Sequence, residues 1–226
     1  MTLAELPEIK ISRNIRSTRL RLRVDEKQIK LTAPLFCSTR QINQFIEQSQ
    51  AWLLKTWAEQ QAKLATIDKE LPLELKLFNL DKPITVEYVV QKNNFKLDIA
   101  LNKLFISDRN PEQYLKTFVI SYAKTYLPEL LEKESERTGL TYTTCSIRQP
   151  KTRWGSCSMK KEIMLNSGLV LFNEDIASYV CIHELAHTKH FNHSADFWLE
   201  VAKHDSKYDL HRKILKKTPM PYWWTI

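Results

Sequence analysis

Positions 183–193 read HELAHTKHFNH and hold four of the chain's six histidines together with one glutamate. His183 and His187 are four residues apart, so on a helix of about 3.6 residues per turn their imidazoles leave one face and can grip one small cation. Glu184, one step around, can reach a water on that cation and serve as general base. His193, six residues past His187, has the spacing at which a chain leaving the helix folds back with a third ligand, and the fourth position stays open for water, as a catalytic zinc requires. His190 stays near the same face if the helix continues, but a ligand from the following turn closes a tetrahedral site more easily. His193 is therefore the expected third ligand and His190 a flanking residue. Asn192 suits this arrangement, because asparagine tolerates the left-handed conformation that turns a chain out of a helix.

The elements that must position these residues are legible upstream. Asn173 followed by Glu174 and Asp175 reads as an N-cap with acids in the first turn. Ile176, Val180, His183 and His187 then fall at i, i+4, i+7 and i+11, so one stripe runs from aliphatic to imidazole in a single register. Two strand-like pieces, about 142–149 and 162–171, flank the segment Arg153-Trp154-Gly155-Ser156-Cys157-Ser158 just before this helix. A strand over 153–158 or 163–169 is a candidate edge on which an extended peptide could pair. A second helical region opens at Asn110-Pro111, closes at Gly139 and is expected to kink or divide at Pro128.

The N-terminal part reads differently. Residues 9–34 alternate apolar and polar around Asp25-Glu26-Lys27, which predicts antiparallel strands ending at Pro34. A long helix capped by Ser38 or Thr39 follows to about residue 64, and residues 72–107 return to strand-like runs. The expected fold class is thus α+β: a β-rich N-terminal lobe with a long helix over 1–107, and a helical lobe with a small sheet and the metal helix over 108–226.

Composition narrows the setting. The 226 residues are 43% hydrophobic, enough for a substantial core, and the four cysteines form no CxxC pair, which argues against a zinc ribbon or a disulfide framework. No apolar run approaches a membrane span and no signal segment is evident, so a cytoplasmic setting without membrane contact is expected. The net charge is +8, and residues 1–65 concentrate it, with 11 Lys and Arg against 6 Asp and Glu. There Arg19, Arg21 and Arg23 alternate with Leu20, Leu22 and Val24, a ladder that reads as a solvated sheet face or as a surface for an anionic partner such as a nucleotide or nucleic acid. Only three glycines are present, and phosphate-cradling loops of the Walker or dinucleotide type are absent.

The Arg153–Ser158 block, Leu165-Asn166, His183-Glu184-Leu185-Ala186-His187, Asn192-His193-Ser194 and Phe197-Trp198 together resemble the YgjP-like (DUF45) metallopeptidase family, which is related in motif to SprT-like and other zincin metallopeptidases. The resemblance implies a zincin-like C-terminal lobe, His183, His187 and His193 as Zn2+ ligands, Glu184 as the catalytic residue, and a peptide or protein substrate. Where metzincins have glycine at the helix end this chain has His190, and Met220 is read as a packing residue and not as a methionine turn. Two other functions use the same features: a nucleotide pyrophosphatase acting through the same site, and a nucleic-acid-associated protease of the SprT-like kind.

Overall fold

A computed structural model describes residues 6–25, 28–65 and 69–225. Of the N-terminal turn expected at Asp25-Glu26-Lys27, the last two residues lie outside the described ones. The chain divides into two compact units, residues 1–68 and 69–226.

In the first unit, strands β1 (Ile9–Asn14), β2 (Arg21–Val24) and β3 (Ile29–Pro34) form a sheet of order β1-β3-β2. Its inner face carries Ile29, Leu31 and Ala33, all fully buried, against Ile42, with Leu22, Phe45 and Ile46 packed around them. β2 and β3 are antiparallel as expected, but β1 and β3 run parallel. The single long helix expected from residue 38 is two helices, α1 (Thr39–Gln48) and α2 (Gln50–Ala65), broken at Ser49. Ser38 starts α1 with a capping box: its hydroxyl accepts from the Gln41 backbone N–H while the Gln41 side chain accepts from the Ser38 N–H, satisfying two donors that a helix start otherwise leaves free.

The second unit begins with β4 (Glu74–Leu75), β5 (Ile84–Val89), β6 (Phe95–Asp98) and β7 (Lys103–Ser107), in the order β4-β5-β7-β6. This sheet shares one core with the helix that follows, which is why the division falls near residue 68 and not after 107. Leu75, Ile84, Val86, Leu104 and Ile106 pack in the same cluster as Leu115, Phe118, Val119 and Leu127 of α3 (Pro111–Thr138). Pro128 neither divides α3 nor ends it. The proline forfeits one bond, to the carbonyl of Lys124, and that residue lies on the exposed side where water can replace it. Gly139 closes the helix at φ 71°, the left-handed geometry that favours glycine at this position.

A second sheet, β8 (Thr144–Arg148), β9 (Gly155–Cys157) and β10 (Glu162–Asn166), has the order β8-β10-β9. β10 is therefore paired on both sides, and of the two candidate edges β9 is the free one. A 3-10 turn over Ser167–Leu171 replaces the expected end of the second strand and leads to α4 (Glu174–Ala186), α5 (Ala195–His204), α6 (Tyr208–Lys217) and α7 (Tyr222–Thr225). Among the described residues no helix is long and apolar enough to cross a membrane.

Candidate metal centre

α4 starts where the sequence places it. The Asn173 side chain accepts from the Ile176 N–H, with Glu174 and Asp175 in the first turn. Ile176 and Val180 are buried, and the same stripe reaches the half-buried His183 and His187 at the other end. Beyond the helix the chain turns back, and ring nitrogens of His183, His187 and His193 all come within 4.8 Å of one another. His183 Nε2 and His193 Nε2 face each other at 3.2 Å. Two nitrogens bound to one zinc at about 2.0–2.1 Å in a tetrahedron stand roughly 3.3 Å apart, so the spacing fits a shared cation.

Protonation suits the same use. Burial, followed by the neighbouring His187, His193 and Arg212, pushes the His183 ring down to about 3, so it is neutral at ordinary pH. Burial also lowers His187, opposed by its hydrogen bond to the backbone at residue 190. That bond joins His187 Nδ1 to the His190 carbonyl at 2.9 Å. A neutral His187 must donate it, which leaves Nε2 as the lone-pair nitrogen, the arrangement by which outer partners fix the tautomer of a metal-binding histidine. Residue 190 thus contributes through its backbone, and its ring is not in the cluster. The Glu200 carboxylate on α5 is engaged elsewhere, binding Lys189 and His204. Asn192 also turns the chain differently from expectation. Positive φ among non-glycine residues occurs at Asn102 and Lys161, and Asn192 instead accepts from the Ser194 N–H through its side chain, an Asx turn.

Aromatic rings hold the three imidazoles in place. Phe197, fully buried on α5, lies 4.4 Å from the His187 ring in a stacked pose and 4.9 and 4.8 Å from His183 and His193 edge-on. Trp198 stacks on His193 and is backed by Tyr208 on one side and the Arg212 guanidinium over its ring.

The Lys189–Glu200 ion pair, at 2.7 Å, ties the loop carrying His193 to α5. The hydrogen bond from Lys189, then that from His204, holds the Glu200 carboxyl below its ordinary value despite its burial. A carboxylate lowered on folding stabilises the fold above its unfolded pKa of about 4.3, and that stabilisation disappears as pH falls through the folded value. Glu200→Gln is expected to cost about 1 kcal/mol at pH 7 and progressively less as pH falls below the unfolded value of about 4.3 and through the lower folded one, measured by urea unfolding across that range.

Glu184 sits behind the histidines, 5% exposed. Burial pushes its carboxyl up to about 8, with Arg153 pulling the other way. The space it occupies belongs to β9. A Cβ built on Gly155 would lie 2.5 Å from Glu184 Oε1, 2.6 Å from Cγ and 2.7 Å from Cδ. The glycine is therefore the gap into which the carboxylate fits, a contact that the sequence reading did not identify. Its only trace was a glycine inside the Arg153–Ser158 block in a chain with three. Asn166 is fully engaged in structure. Its Nδ2 donates to the Pro150 and Arg153 carbonyls and its Oδ1 accepts from the Gly168 N–H, pinning the loop before β9. Met220 packs against the core, as expected of a packing residue.

Three converging imidazoles, a buried carboxyl and a free strand edge beside it are the parts of a metal-dependent hydrolase. The chain belongs to the YgjP-like metallopeptidase domain family, whose model matches residues 18–218. It is accordingly a metallopeptidase. Parts of it are also similar to two solved structures. One is the crystal structure of the metallopeptidase zymogen abylysin of Pyrococcus abyssi, with 29% identity over 40% of this chain and 94% of that chain and a TM-score of 0.36. The other is that of the zymogen jannalysin of Methanocaldococcus jannaschii, with 25% identity over 42% and 98% and a TM-score of 0.36. Among curated proteins no match was found.

Proposed function

We propose that this metallopeptidase is a zinc enzyme that hydrolyses peptide bonds with His183, His187 and His193 as metal ligands and Glu184 as general base. The observation that carries the reading is the convergence of the three ring nitrogens within 4.8 Å beside a buried carboxyl on the same helix. Three imidazole nitrogens suit zinc, and a donor set without carboxylate oxygens is poorly matched to magnesium or calcium. Zinc, when bound, supplies Lewis acidity that polarises a carbonyl and makes water a nucleophile near neutral pH. The chain's own residues do the rest. A peptide pairs along the free edge of β9 through its backbone, which gives affinity with little side-chain selectivity. Glu184 accepts a proton from the attacking water and delivers it to the departing amine nitrogen; burial strengthens its carboxylate as a base, and the charge of the bound cation would keep it ionised for the task. Phe197 and Trp198 keep the imidazoles oriented, and the His190 carbonyl keeps the His187 proton on Nδ1.

The test sets quenched-fluorescent unfolded protein against nucleoside triphosphates, using zinc-loaded protein, protein stripped by a chelator and protein reloaded with zinc. Expected is peptide cleavage that disappears on stripping and returns with zinc. Release of pyrophosphate or phosphate with no peptide cleavage would replace the peptidase reading with the phosphoanhydride one.

A further inference from the structure

The first unit carries a basic surface that folding does not require. On the face of its sheet opposite the core, the register sets Lys10 beside Lys30 and Lys30 beside Arg23, three cations in one row across three strands. All three are exposed. Like charges directly opposite one another destabilise a sheet, so the fold gains nothing from this row. The carboxylates near it gather at one end: Asp25 lies 3.1 Å from Arg23 Nε, and Glu8 precedes β1. Toward the other end the next row is Ser12, Thr32 and Arg21. Among the described residues no ion pair joins Arg16, Arg19 or Arg21 to a carboxylate.

Two clefts meet at Arg19 and Arg21. One, of about 480 Å³, is lined by these arginines with Leu22, Phe45 and Trp52. The other, of about 310 Å³, joins the same two arginines to Arg16 and to the hydroxyls of Ser17, Thr18 and Thr32. Guanidinium groups and hydroxyls are phosphate-binding chemistry. Trp52, 48% exposed beside them, is a platform for a flat ring. We infer that this surface binds single-stranded nucleic acid, with phosphates at Arg16, Arg19 and Arg21 and a base on Trp52.

The choice follows from the first cleft. A lone phosphate or an acidic peptide would use the arginines and leave the exposed Trp52 ring uncovered, whereas a strand alternates charge and flat ring as these clefts do. A duplex keeps its base faces stacked inside and could not offer one to Trp52. Nothing in this inference depends on the metal centre.

The test is an anisotropy titration of the 226-residue chain with a fluorescein-labelled oligothymidylate of about twelve nucleotides, at salt from about 50 to 200 mM. Expected is saturable binding at low salt with a log–log slope near −2, about −0.7 for each of three phosphates. Arg19→Glu with Arg21→Glu should weaken binding more than tenfold. Trp52→Ala should weaken it roughly tenfold while leaving the salt slope in place, because stacking is not ionic. Lys216→Glu with Lys217→Glu, on α6, should change neither by more than twofold. Thermal melts establish that each variant is folded, and Arg19→Gln with Arg21→Gln replaces the charge-reversed pair if that pair melts early. No binding at 50 mM salt overturns the proposal. So does equal weakening by the α6 variant, undiminished binding by the Trp52 variant, or displacement by polyglutamate as effective as by unlabelled oligothymidylate.

Discussion

Replacing Glu184 with glutamine is expected to lower kcat for a peptide substrate by about 10²–10⁴-fold while zinc content and KM stay near those of the parent. The carboxyl is almost fully buried and raised by that burial, which strengthens it as a proton acceptor, and the charge of a cation bound beside it would favour its ionised form. The amide keeps the volume and the hydrogen-bonding outline but can neither accept a proton from water nor return one to a leaving amine. His183, His187 and His193 are untouched by the change, so the metal should remain, as measured by atomic absorption on the purified variant. A variant that kept zinc and cleaved peptide at the parental rate would move the general base to another residue. One that lost its zinc would make Glu184 part of the metal's support. The stopped step should be chemistry itself, so the loss belongs in kcat and not in substrate affinity.

What the sequence discloses about this centre is what is local to it. The Asn173 cap, the i, i+4, i+7, i+11 stripe and the return at His193 are all set within about twenty residues, by helix period and turn chemistry, and the three rings converge as that spacing requires. What it conceals is supplied by backbone atoms or by distant segments. The partner of His187 Nδ1 is a carbonyl, which every residue possesses and no residue type announces. Asn192 turns the chain with its side chain and not with a left-handed backbone, two solutions open to the same residue type. The same division holds for the fold. Ser38, Gly139 and the strand runs were legible from local propensity, whereas the parallel pairing of β1 with β3 and the core shared by β4–β7 and α3 depend on contacts that alternation of apolar residues does not encode. Pro128 shows the limit of a local rule: one lost hydrogen bond is outweighed where the buried stripe of α3 continues on both sides of it, from Leu115 through Leu127 to Leu131.

Gly155 is another contact supplied by a distant segment, and it carries the second large effect. Gly155→Ala is expected to lower kcat by about 10²-fold with zinc content retained. The added methyl would stand 2.5–2.7 Å from three atoms of the Glu184 side chain, well inside van der Waals contact, so one partner must move. The strand cannot move far, because Gly155 pairs with Leu165 and β9 is held to β10 along its length. Nor can α4, whose body is packed in the core. The carboxyl must therefore rotate out of its seat, and a displacement of about 1 Å at a catalytic group costs on the order of 10²-fold. General loss of stability would give a different signature: a lower melting temperature and normal kcat among the molecules still folded. Active-site titration against bound zinc separates the two. Gly155→Ala combined with Glu184→Gln supplies the decisive comparison, because once the carboxylate is gone its displacement has nothing left to remove. The double variant should be no slower than Glu184→Gln alone, and a further tenfold fall would mean that Gly155 acts on the substrate edge of β9 instead of through Glu184.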